Sequence, residues 1–196
     1  MSISAIIAEN VFWICLVIFL VMRVPLLVRA RREPIRTSRR DMMDWIVLRI
    51  AETGLGVLPM IYVIAKFPAF ATYPFFPPLA ALGTAVFALG LWFIHRAQHD
   101  LGRSFSGHLE IRREHELVTA GIYKSVRHPM YLGFLLWAVA QVLLLPNWIA
   151  GPAGLVGWTV LFASRVVNEE NMMIQEFGGQ YRAYAERTAR LIPRVF

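Results

Sequence analysis

Pro129-Met-Tyr-Leu-Gly-Phe-Leu-Leu-Trp-Ala-Val-Ala-Gln-Val-Leu-Leu-Leu-Pro-Asn147 is an apolar run closed by a turn pair. At ~1.5 Å per residue, Met130 to Leu145 reaches only about 24 Å, against the roughly 30 Å hydrocarbon core of a bilayer. A second apolar run, Ile149 to Val167, follows directly. The two read as a helical hairpin that turns at Pro146-Asn147. Ahead of the hairpin lies Val118-Thr-Ala-Gly-Ile-Tyr-Lys-Ser-Val-Arg-His128, which is turn-rich, basic and aromatic. Gly121 permits a positive φ or a close backbone approach. Pro129 fixes its own φ and moves His128 out of the α region, so a helix can start at Pro129. Arg127, His128 and Tyr131 then gather around its first turn. Such a turn, with unpaired N–H groups at the positive end of the dipole, suits a carboxylate or phosphate. The plainer alternative is a membrane-interface turn with an Arg anchor and a Tyr belt.

Working outward, the same apolar character holds for most of the chain. Of 196 residues, 57% are hydrophobic and 17% charged, below the roughly 25% of soluble domains. Runs of about 3–28, 45–66 and 79–97 add three further spans, giving one integral membrane domain over residues 1–196. The first run has no basic region ahead of it and is too long for a removable signal peptide, so it is expected to remain as a span. The expected class is all-α: five transmembrane helices, a C-terminal helical hairpin, and an amphipathic tail helix at the cytoplasmic surface over 168–187.

Net charge is +7 with a pI near 10.2. No recognition motif accompanies that charge, which disfavours nucleic acid as a partner. The bilayer is the expected partner, and the charges mark one face of it. Arg29 to Arg40, Arg103 to Arg127 and Arg182 to Arg194 fall on one side of a five-span topology, whereas the opposite loops hold only Lys66 as a basic residue. The positive-inside rule then puts the N-terminus outside and the C-terminus in the cytoplasm, at the inner membrane in a bacterium. The lone Cys15 forms no internal disulfide, and no Cys/His metal site is expected. There is no internal repeat, which disfavours a repeat-built transporter.

Ionisable residues within spans are functional candidates, because burying them in lipid is costly. Arg49 and Glu52 stand three apart on one face and can pair, as a structural or a functional couple. His95 and His99 share a face, but no thiolate or acidic cluster accompanies them. Arg165 and Glu169, four apart where the last span leaves the membrane, could fix a carboxylate and a cation. An exposed pair of that kind adds only a few tenths of a kcal/mol, a weak reason to place charge there. After Phe177, the Gly178-Gly179 pair lets the tail fold back. Tyr181, Tyr184 and Arg187 then either cover a pocket or sit among headgroups.

Taken together, His115-Glu-Leu-Val-Thr-Ala-Gly-Ile-Tyr123, Arg127-His-Pro-Met-Tyr131 with Gly133, and Arg165-x-x-x-Glu-Glu170 resemble the isoprenylcysteine carboxyl methyltransferase family. Leu101-Gly-x-x-Phe105-Ser, Phe177-Gly-x-x-Tyr181-x-x-Tyr184 and Ile192-Pro193 are similar to it as well. The resemblance covers about 101–193. It implies a membrane enzyme that moves a methyl group from S-adenosylmethionine to a lipophilic or prenylated acceptor. Carried over by position, it implies that His115, Leu117, Val118, Tyr123, His128, Pro129, Met130, Tyr131 and Glu169 line the cofactor and that Arg165 meets the substrate. Arg165 and His128 are the expected catalytic residues: Arg165 orients a carboxylate acceptor, and His128 is the first candidate base for a thiol or amine. The cofactor's carboxylate suits the helix start at Pro129, and its ammonium suits Glu169. His108 stands in a loop with no assigned role. Two other classes stay open: an NADPH-dependent sterol-reductase-like oxidoreductase, and a non-catalytic scaffold or transporter.

Overall fold

Hydrophobic runs that must satisfy every backbone group internally become helices, and helices make up the body of this protein. The computed structural model describes residues 3–30, 35–38, 42–102, 110–112 and 117–192. In chain order these form α1 (Ile3–Ala30), β1 (Ile35–Ser38), α2 (Met42–Glu52), α3 (Leu58–Ala65), α4 (Pro78–Leu101), β2 (Glu110–Arg112), α5 (Pro129–Leu144), α6 (Ala150–Phe177) and α7 (Gly179–Arg187). A π-helical turn, Thr53–Val57, joins α2 and α3 into one rod, Met42–Ala65. Among the described residues, four rods are long and apolar enough to cross a membrane: 3–25, 42–65, 78–101 and 150–177. At 16 residues, α5 is the short apolar helix that the sequence suggests.

Two features differ from the sequence expectation. The body is all-helical as expected, but one short ribbon is added to it: β1 and β2 pair antiparallel, with Ile35 opposite Arg112 and Ser38 opposite Glu110. The tail is not one helix over 168–187 either. Its first ten residues prolong α6 to Phe177, and Gly178, at φ +54°, breaks the chain before α7. Polar residues past Val167 stop the hydrophobic run but not the helix, because nothing among them forbids α geometry until the glycine pair.

The cross-links sort the loops into two groups. The β1–β2 ribbon brings the loop after α1 to the segment after α4, and Val126 bridges to Ala189 beside them in the C-terminal part. At the opposite end Thr72 bridges to Asn147, and Lys66 reaches the Glu9 carboxylate of α1. Asn147 explains why the hairpin turns where it does. Its Oδ1 accepts the N–H groups of Ile149 and Ala150, at 3.0 and 2.8 Å, and so caps α6. Its amide donates to the Pro68 carbonyl at 2.9 Å.

Helices touch closely where small residues allow it. A Cβ on Gly133 would lie 2.6 Å from an Ile94 side-chain carbon, so α4 and α5 pack nearly backbone to backbone. Likewise a Cβ on Gly54 would lie 2.3 Å from the Ala153 carbonyl oxygen of α6. Gln141, wholly buried, donates to the Gly54 and Ala150 carbonyls at 3.0 and 2.6 Å and so supplies a partner to the π turn. Phe12, Phe19, Phe87 and Trp137 fill the centre of the bundle. On the outside of the α2–α6 seam runs an apolar groove of about 590 Å³, between Trp45 and Trp148.

Candidate active site

The turn ahead of α5 is built on Asp100, at the end of α4. Its carboxylate accepts the Ile122 N–H at 2.8 Å and the Arg96 Nε–H at 3.1 Å. Gly121 sits at φ +61°, and a Cβ there would fall 2.1 Å from Asp100 Oδ2, so only glycine fits. Tyr123 follows inside a short 3₁₀ turn and is buried, with its hydroxyl 3.4 Å from the Ala97 carbonyl. Tyr184 donates its hydroxyl to the Tyr123 carbonyl at 2.6 Å. Both Tyr181 and Tyr184 are thus turned inward beneath the turn rather than toward headgroups. Burial raises all three phenols above their ordinary range, that of Tyr184 to about 12, so each stays a neutral donor.

His128 precedes Pro129 with φ −122° and ψ 60°, outside the helix, and α5 begins with no side-chain cap on its first N–H groups. Its imidazole lies between two consecutive carboxylates of α6: Nδ1 is 3.5 Å from Glu169, and Nε2 is 3.3 Å from Glu170. Burial by itself would depress this imidazole. The two carboxylates outweigh it and hold the pKa above the ordinary value. His128 thus has a carboxylate facing each ring nitrogen.

Glu170 is a structural hub. Arg127 donates to it through Nε and Nη2, at 3.1 and 3.0 Å, and Arg190 through Nε and Nη2, at 3.1 and 2.7 Å. The remaining Nη1 of Arg127 donates to the Ala185 carbonyl at 2.7 Å and to that of Thr188. Arg127 is thereby occupied in holding the C-terminal segment and is not open to an anion.

Glu169 faces the other way. It accepts the Tyr131 hydroxyl at 2.7 Å and lies 3.8 Å from Arg165 Nε, with about a quarter of its side chain open to solvent. Tyr131 stands edge-on to Phe162, and its carbonyl accepts the Trp158 indole N–H at 2.8 Å. Arg165 is buried and ion-paired at 3.0 Å with Asp44, in the first turn of α2. Of the expected site residues, the structure thus brings His128, Pro129, Met130, Tyr131, Arg165 and Glu169 together where α5 begins and α6 leaves the bundle. Leu117, Val118 and Tyr123 lie on the turn leading there. His115 and His108 lie outside the described residues.

Several contributors escape a motif reading. Asp100 and Asp44 are isolated acids at the ends of apolar runs, and only the cost of burying a charge marks them beforehand. Arg23, from α1, reaches the Met130 sulfur at 4.0 Å. Arg49 and Glu52 pair at 2.6 Å on a half-open face, and His99 lies 3.3 Å from Asp100. No group of three or more metal-ligating side chains occurs among the described residues.

Residues 80–175 match the isoprenylcysteine carboxyl methyltransferase (ICMT) family. The protein-S-isoprenylcysteine O-methyltransferase B of Arabidopsis thaliana is 37% identical over 143 residues, which cover 72% of this chain and 71% of that one. The protein-S-isoprenylcysteine O-methyltransferase of Schizosaccharomyces pombe is 33% identical over 133 residues, 66% of this chain and 56% of that one. Among solved structures, that of the eukaryotic intramembrane Ras methyltransferase ICMT is similar at a TM-score of 0.53 and 26% identity. It covers 77% of this chain and 52% of its own. The chain therefore spans 71% of the plant relative and little more than half of the yeast protein and the solved structure.

Proposed function

The chain belongs to the isoprenylcysteine carboxyl methyltransferase family of membrane methyltransferases, and on that premise we propose that it transfers a methyl group from S-adenosylmethionine to the carboxylate of an isoprenylated cysteine or a closely similar oily acid. The observation that carries the reading is the convergence of Tyr131, His128, Arg165 and Glu169 at one end of α5 and α6. The relatives' names do not favour a nicotinamide-dependent reductase.

The residues present fit the cofactor's charges. Glu169 keeps part of its carboxylate open and suits an ammonium, while the uncapped first turn of α5, at Pro129, Met130 and Tyr131, suits a carboxylate. Leu117, Val118, Tyr123 and, by the family resemblance, His115 would complete the cofactor site. When bound, S-adenosylmethionine supplies a methyl group on a positively charged sulfur, which becomes neutral as the methyl leaves.

Arg165 is the group placed to hold the acceptor's carboxylate beside the cofactor residues. An ionised carboxylate needs no proton removed, so its methylation asks the protein for alignment and exclusion of water. This agrees with His128, whose two ring nitrogens face carboxylates and which offers no free base. The imidazole instead braces Glu169 and Glu170 in place.

In the membrane, α1, the α2–α3 rod, α4, α5 and α6 would make five crossings, with the site at the cytoplasmic face and the N-terminus outside. The α5–α6 hairpin would form the oily wall toward the acceptor, and α7 would lie beneath the site. The test is methyl transfer from isotopically labelled S-adenosylmethionine to N-acetyl-S-farnesylcysteine by the full chain in lipid nanodiscs. Labelled ester is the expected product. Absence of ester, with no binding of S-adenosylmethionine by calorimetry, would overturn the reading.

A further inference from the structure

Asp44 lies outside the matched stretch 80–175, at the start of the second rod, among Met42, Met43, Trp45 and Ile46. All four of those neighbours are exposed at the helix surface, whereas Asp44 is buried at 8% exposure. A carboxylate placed in such surroundings is costly unless it is paired. Its partner is Arg165, itself 7% exposed, and the contact runs from Asp44 Oδ1 to the guanidinium Nε at 3.0 Å. Glu169 lies on the same Nε at the longer distance of 3.8 Å.

Which nitrogen is engaged decides what the arginine can do. A guanidinium offers a carboxylate two parallel donors, either along its Nε–Nη edge or along the edge formed by its two terminal nitrogens. Nε is the guanidinium nitrogen nearest both Asp44 and Glu169, at 3.0 and 3.8 Å, in ion-pair and not hydrogen-bond geometry, so the edge of the two terminal nitrogens is the one farther from these carboxylates and the edge for an incoming one. Asp44 also fixes the guanidinium from a different helix, so its plane is set by both α2 and α6.

We propose that Asp44 is the positioning residue for the acceptor: by holding the Nε of Arg165 it presents the two terminal nitrogens to the acceptor's carboxylate, and thus brings the second rod into acceptor selection. This rests on the assignment of Arg165 to the acceptor in the proposed function. On this account Asp44 acts through Arg165 and does not meet the acceptor itself.

The experiment compares wild type, Asp44→Asn and Asp44→Glu in nanodiscs, with N-acetyl-S-farnesylcysteine as acceptor. Its methyl ester serves as a neutral competitor with the same tail. For Asp44→Asn the expected result is a KM for the acid about tenfold higher, the loss of one buried charge–charge contact on the guanidinium. The inhibition constant of the ester and the affinity for S-adenosylmethionine should stay within about twofold by the same argument. Asp44→Glu should recover part of the loss. An unchanged KM for the acid in Asp44→Asn, or a parallel loss for acid, ester and S-adenosylmethionine, would overturn the proposal, the second result marking Asp44 as a structural residue only. If Asp44→Asn does not fold, Asp44→Glu decides by the same ratio of acid KM to ester inhibition. Should wild type itself neither bind S-adenosylmethionine nor form ester, the proposed function fails first, and the two failures are told apart by that control.

Discussion

The Tyr131 hydroxyl donates to Glu169 Oε1 over 2.7 Å and joins the first turn of α5 to the exit of α6. This bond orients the carboxylate proposed to meet the cofactor, and His128 lies on its other oxygen. Removing the hydroxyl in Tyr131→Phe deletes a hydrogen bond to a charged group, worth roughly 1.5 kcal/mol. Affinity for S-adenosylmethionine should fall about tenfold. Glu169→Gln, which removes the charge but keeps the shape, should cost more. Calorimetric titration of the two variants checks this, and equal affinities across all three proteins would detach Glu169 from the donor.

Arg127 is committed to the C-terminal segment through Glu170 and two carbonyls, so its loss should appear in stability. Arg127→Ala leaves part of a buried carboxylate uncompensated, at a cost of about 3 kcal/mol. Lysine cannot reproduce four donor contacts with one ammonium, so Arg127→Lys should rescue little. Thermal unfolding in detergent, followed by intrinsic fluorescence, reads both changes. An unfolding midpoint unmoved in Arg127→Ala would show that the clasp bears no load.

A pH dependence follows from His128. Its folded pKa is raised, so the stability its cation contributes is fully present below the ordinary value of 6.5 and is lost as pH rises through the folded value. The difference in melting temperature between wild type and His128→Gln should therefore shrink from pH 6 to pH 9. A difference that grows with pH would mean that the imidazole is neutral in the folded protein.

The small-residue seam gives a paired prediction. Gly54→Ala would force a Cβ to within 2.3 Å of the Ala153 carbonyl oxygen, and the helices would have to separate. Overpacking of that kind costs about 1–3 kcal/mol. Gly56, two residues on, has nothing within 4 Å of its would-be Cβ. Gly56→Ala should be neutral or stabilise by up to about 1 kcal/mol, since alanine is the better helix former. Parallel melting curves separate the two, and equal losses would rule out the close approach.

Much of the fold is legible in the sequence because apolar run length is a direct physical signal. The short run 130–145 and the Pro146-Asn147 turn give the hairpin, and Pro129 gives the start of α5 within a residue. Where the sequence misleads, hydrophobicity has been read as helicity: α6 continues ten residues beyond Val167, although its surface turns polar. The β1–β2 ribbon escapes because three- and four-residue strands leave no periodic pattern to count. Of the candidate site, the neighbours along the chain are readable: His128 beside Pro129, and Glu169 one helical turn from Arg165. Contacts between distant segments are not. Asp100 with Ile122 and Asp44 with Arg165 join residues 22 and more than 100 positions apart, and no local spacing announces either.

The closeness of the Met42–Ala65 rod and α6 also bears on traffic. Their backbones meet at Gly54 and Ala153, and the Asp44–Arg165 pair bolts the same seam farther along. A carbon chain lodged in the groove outside is thus on a ledge with a shut door behind it. On the proposed reading, the acceptor's oily tail must find its way in through some other gap between the helices.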